Sequence, residues 1–473
     1  MSSTCSWVPS GVWRQASVPK STLSNRGEHA ATTPLRIDYA AHREAAENAY
    51  HPVHNPTGSL ALNVAENRLG WPELKEQIEL ITAQHPISEW VPGYTHARGA
   101  PEFRAAAASF LGEHLTGCPI DPDHLGVSAG ATSVIEMTSF ILADAGDVAV
   151  IPAPCYPVYR QDIGNLSRVE RYDLVTHHEV SEIAAGPALT LDHLERALRD
   201  IEGAGRRFRM LILTTPDNPT GGIYPMALLE RVADWCIERE IHLVVNEIYG
   251  LSLIDTSHPD IREDYAEAVT FESFASLMAR RRSDFLHLWY AVSKDLGISG
   301  FRVGLLHSHN SALLEAYENL NLTHSVSNHT QWVLQHLLTD RGFLTSYFER
   351  ARTRLTESYA LTVGFLKRLA IPYAPSRGSL FVWIDLSEFM PASSEAAELA
   401  LWRELFETTG VLLTPGVGFG HSKHGLFRVV YPCVSRDELE VAMRRIEGFV
   451  TRKRSSLGAR PGPPSHPPNG SLP

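Results

Sequence analysis

Lysine is scarce in this chain, and one lysine sits where chemistry is possible. The 473 residues include six lysines (Lys20, Lys75, Lys294, Lys367, Lys423, Lys453) among forty-two basic residues, which leaves thirty-six arginines. Of the six, Lys294 stands where an apolar run, residues 285–292 (FLHLWYAV), gives way to a loop marked by Gly297, Gly300 and Gly304. An ammonium at the end of a buried strand is costly to desolvate unless the amine is neutral or covalently used, as in a Schiff base. Arg302, eight residues on, offers a fixed planar charge suited to a phosphate, and Ser293 adds a hydroxyl beside the lysine. The bland alternative is a surface lysine next to a turn.

Other stretches repeat this pattern of a short apolar run followed by a polar loop. Ser128-Ala129-Gly130-Ala131-Thr132 leaves one run and enters a helical pattern, where free N–H groups and the Thr132 hydroxyl can hold a phosphate. Pro154-Cys155-Tyr156-Pro157 puts an aromatic ring at the end of the next run, and Pro216-Asp217-Asn218-Pro219-Thr220-Gly221 puts an amide at another. Tyr249 follows the run that ends at Asn246. Near the far end, Gly425-Leu426-Phe427-Arg428-Val429 carries a guanidinium that matches a carboxylate bidentately. Each loop alone reads as an ordinary turn.

Taken together, the segment SKDLGISGFRVG and this series of loops resemble the fold type I pyridoxal-phosphate enzymes of the class I/II aminotransferase superfamily. Within it they are most similar to the 1-aminocyclopropane-1-carboxylate (ACC) synthase family, over residues 45–450 or so. The resemblance implies a cofactor, pyridoxal 5'-phosphate, linked to Lys294. It assigns the phosphate to Ala131, Thr132, Ser293 and Arg302, the stacked ring to Tyr156, and the phenolic oxygen to Asn218 and Tyr249. Arg428 then takes the substrate α-carboxylate. Ala65-Glu66-Asn67, after the turn Asn55-Pro56-Thr57-Gly58, matches the family tripeptide whose glutamate faces the sulfonium of S-adenosylmethionine (SAM). Tyr94, five residues before Gly99, has the spacing of a transaminase tyrosine that reaches the neighbouring subunit's cofactor phosphate. A homodimer is therefore expected.

Two positions depart from the family. Asn246 stands where relatives carry an aspartate that keeps the pyridine nitrogen protonated, and an amide cannot supply that charge. Glu247 is adjacent, but strand alternation points it to the opposite face. Ala291 replaces a serine that binds phosphate in many relatives. The expected activity is γ-displacement or γ-elimination on SAM with release of methylthioadenosine, giving ACC or an adduct with a second small molecule. The alternatives are an ordinary amino-acid aminotransferase and, from another class, a catalytically silent binding protein of the same fold. No helix-turn-helix pattern supports the last.

The elements that must position these residues follow from patterning. Strands are expected over 125–128, 148–151, 210–214 and 242–246, with helices over 132–142, 191–201 and 225–239. Val/Ile/Leu-rich strands without polar alternation are buried on both faces, which implies a mainly parallel sheet wrapped by helices, with ligands at its loops. The C-terminal part reads as helices up to residue 369, then a smaller α/β unit with strands over 380–386, 411–414 and 427–431. The expected division is a disordered tail (1–33), an arm with a small-domain segment (34–95), a large cofactor-binding domain (96–329), a small domain (330–452) and a disordered Pro-rich tail (453–473).

Composition sets outer bounds. A net charge of −12 and no basic run with interleaved aromatics argue against nucleic-acid and anionic-membrane partners. Five scattered cysteines without CxxC spacing predict reduced thiols, with neither a disulfide frame nor a zinc site, and no metal site is expected. With no signal-peptide pattern and no run of membrane-spanning length, a cytoplasmic location is expected.

Overall fold

Seven strands form the central sheet: β1 (Leu125–Ser128), β2 (Val148–Ala153), β3 (Glu170–Val175), β4 (Phe208–Thr214), β5 (His242–Asn246), β6 (Leu286–Ala291) and β7 (Gly304–Ser308). Their order is β1-β7-β6-β5-β4-β2-β3, all parallel except β7, which runs against both neighbours. The computed structural model describes residues 22–183, 188–266 and 269–458. Strands β1, β5, β6 and β7 are buried at every residue, as expected for a sheet covered on both faces.

The helices Ala131–Leu142, Leu191–Gly203 and Met226–Glu238 agree with the expected ones to within two residues at each end. Among the strands that were not expected, β3 and β7 belong to the central sheet. β3 reads ERYDLV, an edge strand whose charges hide it from a search for apolar runs, and Arg171 pairs along it with Asp173 at 2.6 Å.

A second, antiparallel sheet joins β9 (Phe381–Asp385) to β11 (Leu426–Val430), flanked by β8 (Tyr373–Ala374) and β10 (Thr414–Pro415). The stretch expected as one strand over 411–414 is divided. Val411–Leu412 pairs in parallel with Leu60–Ala61 of the N-terminal arm, and only Thr414–Pro415 joins the sheet.

Two hydrophobic cores share the segments around the expected domain boundaries. The helix Trp71–Gln84 buries Leu74 and Ile81 in the core of the large domain, whereas residues 41–62 pack with the small one. On the other side, Asn328–Thr339 packs against Pro101–Phe110, so 330–339 belongs with the large domain. The change of core falls inside the helix Arg341–Arg368: Leu344 and Tyr347 join the first core, Leu355 onward the second. Apolar periodicity cannot reveal which core a continuous helix faces. Of the tails, residues 1–21 and 459–473 lie outside the described residues. Asn25–Thr32 is helical, capped by Ser24, and the last helix continues to Gly458. Among the described residues no helix is long and apolar enough to cross a membrane.

Candidate active site

The ends of the parallel strands and the arm enclose a cavity of about 440 Å³ lined by Lys294, Ser293, Arg302, Ala131, Thr132, Tyr156, Asn218, Asn246, Tyr249, Glu66 and Arg428. These are the expected site residues except Tyr94. Lys294 is in the short helical turn after β6 and is held there by a hydrogen bond from Nζ to the Ala65 carbonyl at 2.7 Å. Burial, then the charge of Arg428, lowers its amine to about 8, with Glu66 acting in the opposite sense.

Backbone geometry brings Arg302 against the start of Ala131–Leu142. Gly130 caps that helix at φ 87°, and a Cβ there would meet Arg302 Nη2 at 2.5 Å. A Cβ on Gly304 would strike the Gly130 carbonyl carbon, also at 2.5 Å. Both glycines are therefore required for the guanidinium and the helix N-terminus to meet. Helix N–H groups, the Thr132 and Ser293 hydroxyls and Arg302 form a setting fit for a phosphate. Ala291 is fully buried in β6 and offers no hydroxyl there.

At the end of β5, Asn246 is fixed from two sides. Its Nδ2 donates to the Tyr159 hydroxyl at 2.9 Å, and its Oδ1 accepts from the Ile248 N–H at 3.2 Å. Tyr159 Oη lies 2.8 Å from Thr214 Oγ1, completing an uncharged network. Glu247 points to the opposite face, as alternation requires. It accepts from Ser273 Oγ and the Phe274 N–H, both at 2.6 Å, and so caps the helix Phe274–Arg281; burial pushes its carboxyl up to about 8. Among the described residues no carboxylate hydrogen-bonds the Asn246 side chain.

Arg428 lies on β11 and is 2% exposed. Its Nη1 donates to Asn218 Oδ1 at 2.9 Å and its Nη2 to the Asn63 carbonyl at 3.0 Å, with Phe381 4.5 Å from the guanidinium. Because Asn218 Oδ1 is taken, its Nδ2 faces Tyr249, donating to the hydroxyl at 3.3 Å. Arg428 Nε is buried and has no partner among the described residues, so the guanidinium retains a free donor. Burial and then Arg36 lower its pKa to about 10.

Glu66 is in the cavity wall but is not free. Arg68 donates to its Oε2 from Nε at 2.9 Å and Nη2 at 2.7 Å. Tyr94 is 99% exposed and is not brought to this cavity within one chain.

Among the cavity residues not anticipated from the sequence, three bear on its chemistry. Arg36, in the segment entering the arm, pairs with buried Asp38 and donates to the Asn63 carbonyl at 3.1 Å, the same oxygen that Arg428 uses. Tyr159 was visible only as an aromatic three residues after Tyr156. Asp162 is buried, is raised to about 7 by burial and then by Glu136, and its Oδ2 has no partner among the described residues.

Comparison with known proteins agrees with this geometry. Residues 57–446 match the family model described as aminotransferase class I and II. The chain is 32% identical over 459 residues to 1-aminocyclopropane-1-carboxylate synthase 3 of Oryza sativa subsp. japonica, covering 93% of this chain and 98% of that one. It is 30% identical over 430 residues to 1-aminocyclopropane-1-carboxylate synthase 7 of Arabidopsis thaliana, covering 88% and 92%. Among solved structures, an aspartate aminotransferase from Thermus thermophilus with maleate superposes with a TM-score of 0.73 at 22% identity, over 91% of this chain and 100% of that one. That likeness shows the fold. With a half-buried lysine of lowered pKa, a helix N-terminus that only glycines let Arg302 approach, and an unfilled arginine donor, the residues present fit pyridoxal phosphate. The chain belongs to the class I and II aminotransferases, the fold type I family whose cofactor is pyridoxal 5'-phosphate.

Proposed function

We propose that this enzyme acts on the amino-acid portion of S-adenosylmethionine and releases methylthioadenosine by displacement or elimination at the γ-carbon. The observation that carries this reading is the contact between Lys294 Nζ and the Ala65 carbonyl, which sets Glu66 in the cavity wall beside the lysine, with Arg428 in the same cavity. The cofactor, when bound through Lys294, supplies an electron-withdrawing ring conjugated to the α-carbon. Arg428 binds the α-carboxylate through the donors its buried neighbours leave open. The Lys294 amine, brought near pH 8 by burial, is poised to take the α-proton. Glu66 offers negative charge to the sulfonium, tempered by Arg68. Asn246 contributes an amide rather than a carboxylate, which disfavours a long-lived carbanion and favours charge leaving through the γ-position. The product is ACC or an adduct with a second small molecule. The active unit is a homodimer in which Tyr94 reaches the partner's cavity, a reading supported by the complete exposure of that tyrosine in one chain.

One observation favours the second reading, an aminotransferase. Arg36 adds another guanidinium to the cavity, which a dicarboxylic amino acid would use, although Asp38 already neutralises it. Mass analysis of products after incubation with SAM, with and without candidate co-substrates, separates the two. Methylthioadenosine with a C4 amino acid or adduct supports the first reading. Oxo-acid formation from ordinary amino acids, without methylthioadenosine, supports the second.

A further inference from the structure

The far end of the β1–β7 strand pair carries a second cluster of chemical groups. Antiparallel register sets Ser128 beside Gly304 at the cofactor end and Leu125 beside His307 at the other. His124 immediately precedes β1, and His309 follows β7. One ligand nitrogen from each of His124, His307 and His309 lies within 4.8 Å of the other two. The His124 and His309 rings are 4.7 Å apart edge-on, and His307 and His309 are 5.3 Å apart.

Two of these rings lack the partners that buried imidazoles normally have. Among the described residues nothing hydrogen-bonds His307 Nδ1 or His309 Nε2, although both atoms are buried. The contrast with the neighbouring histidines is direct. Buried His287 places Nε2 2.9 Å from His242 Nδ1 and Nδ1 2.9 Å from Ser308 Oγ, so both of its nitrogens are used. His287 and His242 are satisfied core groups, whereas the cluster is not. A cavity of about 260 Å³ lined by His124, His309, Arg98, Asp123, Glu315 and Glu318 adjoins the rings and gives solvent access. Its one arginine is paired with Glu318 at 3.3 Å.

We propose that His124, His307 and His309 form a binding site for a divalent transition cation of the zinc class, with solvent from the adjoining cavity in the fourth position. Three imidazoles and an open position suit Zn²⁺, Ni²⁺ or Cu²⁺ and not the oxygen-seeking Mg²⁺ or Ca²⁺. Tetrahedral nitrogens at about 2.0–2.1 Å from zinc stand about 3.3 Å apart. Side-chain rotation of the two partly exposed rings, His124 and His309, closes the gap from the present spacing. The occupied site ties the entry to β1 to the exit of β7 at one edge of the large sheet, away from Lys294.

The test uses the tag-free, pyridoxal-phosphate-loaded protein freed of metal by a chelator. Zn²⁺ is titrated against a chromophoric competitor, with Mg²⁺ as the control. One Zn²⁺ per chain is expected, with a rise in melting temperature that grows with free Zn²⁺. His124→Gln and His309→Gln should each raise the Zn²⁺ dissociation constant by at least about tenfold, since even outer-shell partners are worth about 10–100-fold. Both variants should keep the cofactor absorbance. Should either variant fold poorly, Co²⁺ in the wild type decides: intense visible bands of a tetrahedral nitrogen-rich site support the proposal. Weak octahedral bands, Zn²⁺ binding unchanged in both variants, or no stoichiometric binding to the wild type would each overturn it.

Discussion

The two walls of the substrate cavity are built by different rules. On one side Arg428 is fully buried and gripped by Asn218, Asn63 and Phe381. On the other, Glu66 is half-buried and held by a single arginine whose side chain is mostly in solvent. A guanidinium locked by buried neighbours is preorganised for one anion in one orientation. A half-exposed carboxylate, partly screened and partly neutralised, tunes affinity modestly. The carboxylate-binding wall is thus rigid, and the wall that carries Glu66, proposed to face a sulfonium, is the more exposed of the two.

The largest effect lies between the walls. Lys294→Ala should lower turnover by about 10⁴-fold, the upper end for loss of a general base, with any substrate. Borohydride reduction of the wild type should fix the cofactor to the peptide containing Lys294; labelling at another lysine would remove the reference point of the comparison. Next, Arg428→Ala should cut kcat/KM for all amino-acid substrates by about 10²–10³-fold, the cost of truncating one member of a buried charged contact. A loss confined to SAM would show that the rigid wall is not the shared one.

The loops carrying Lys294, Asn218 and Tyr249 were legible in the sequence because each follows an apolar strand, and Arg428, within strand β11, was legible through its local segment, residues 425–429. What was not legible depends on contacts distant in sequence. Tyr159, at the start of a short helix, acquires meaning only when its hydroxyl meets Asn246 and Thr214, on two strands. Arg36 lies in a stretch without hydrophobic periodicity, and it joins the cavity through Asp38 and the Asn63 carbonyl. Glu170–Val175 alternates charge with apolar residues and escapes a search for buried runs. The helix Arg341–Arg368 serves two cores without a break in its pattern, so its apolar residues do not locate a domain boundary. His124 was unreadable as a partner of His307 until strand register put them side by side.

Asn246→Asp adds a charge that belongs to neither wall. The Ile248 N–H and a rotated Tyr159 hydroxyl can both serve a carboxylate there, so the fold should hold. A hydrogen bond to a charged group is worth about 1.5–3 kcal/mol, so pyridoxamine phosphate formation with alanine or aspartate should rise about tenfold or more. Chromatography of the released cofactor measures it, and no rise would show that the neutral amide is not what limits transamination. The smallest effect belongs to the more exposed wall. Glu66→Gln should weaken a sulfonium substrate by about fivefold, in keeping with about 1 kcal/mol for a partly exposed ion pair, and leave an uncharged thioether analogue unchanged. Equal losses for the two ligands would dissolve the distinction between the walls.

The central claim is that charge leaves this enzyme through the γ-position and is not stored for transamination. It is tested most directly by one ratio: methylthioadenosine released to pyridoxamine phosphate formed when the wild type is incubated with SAM, with alanine and aspartate run in parallel. The account predicts methylthioadenosine in large excess with SAM and scarcely any pyridoxamine phosphate with any of the three. Rapid pyridoxamine phosphate formation with alanine or aspartate, and no methylthioadenosine from SAM, would contradict it.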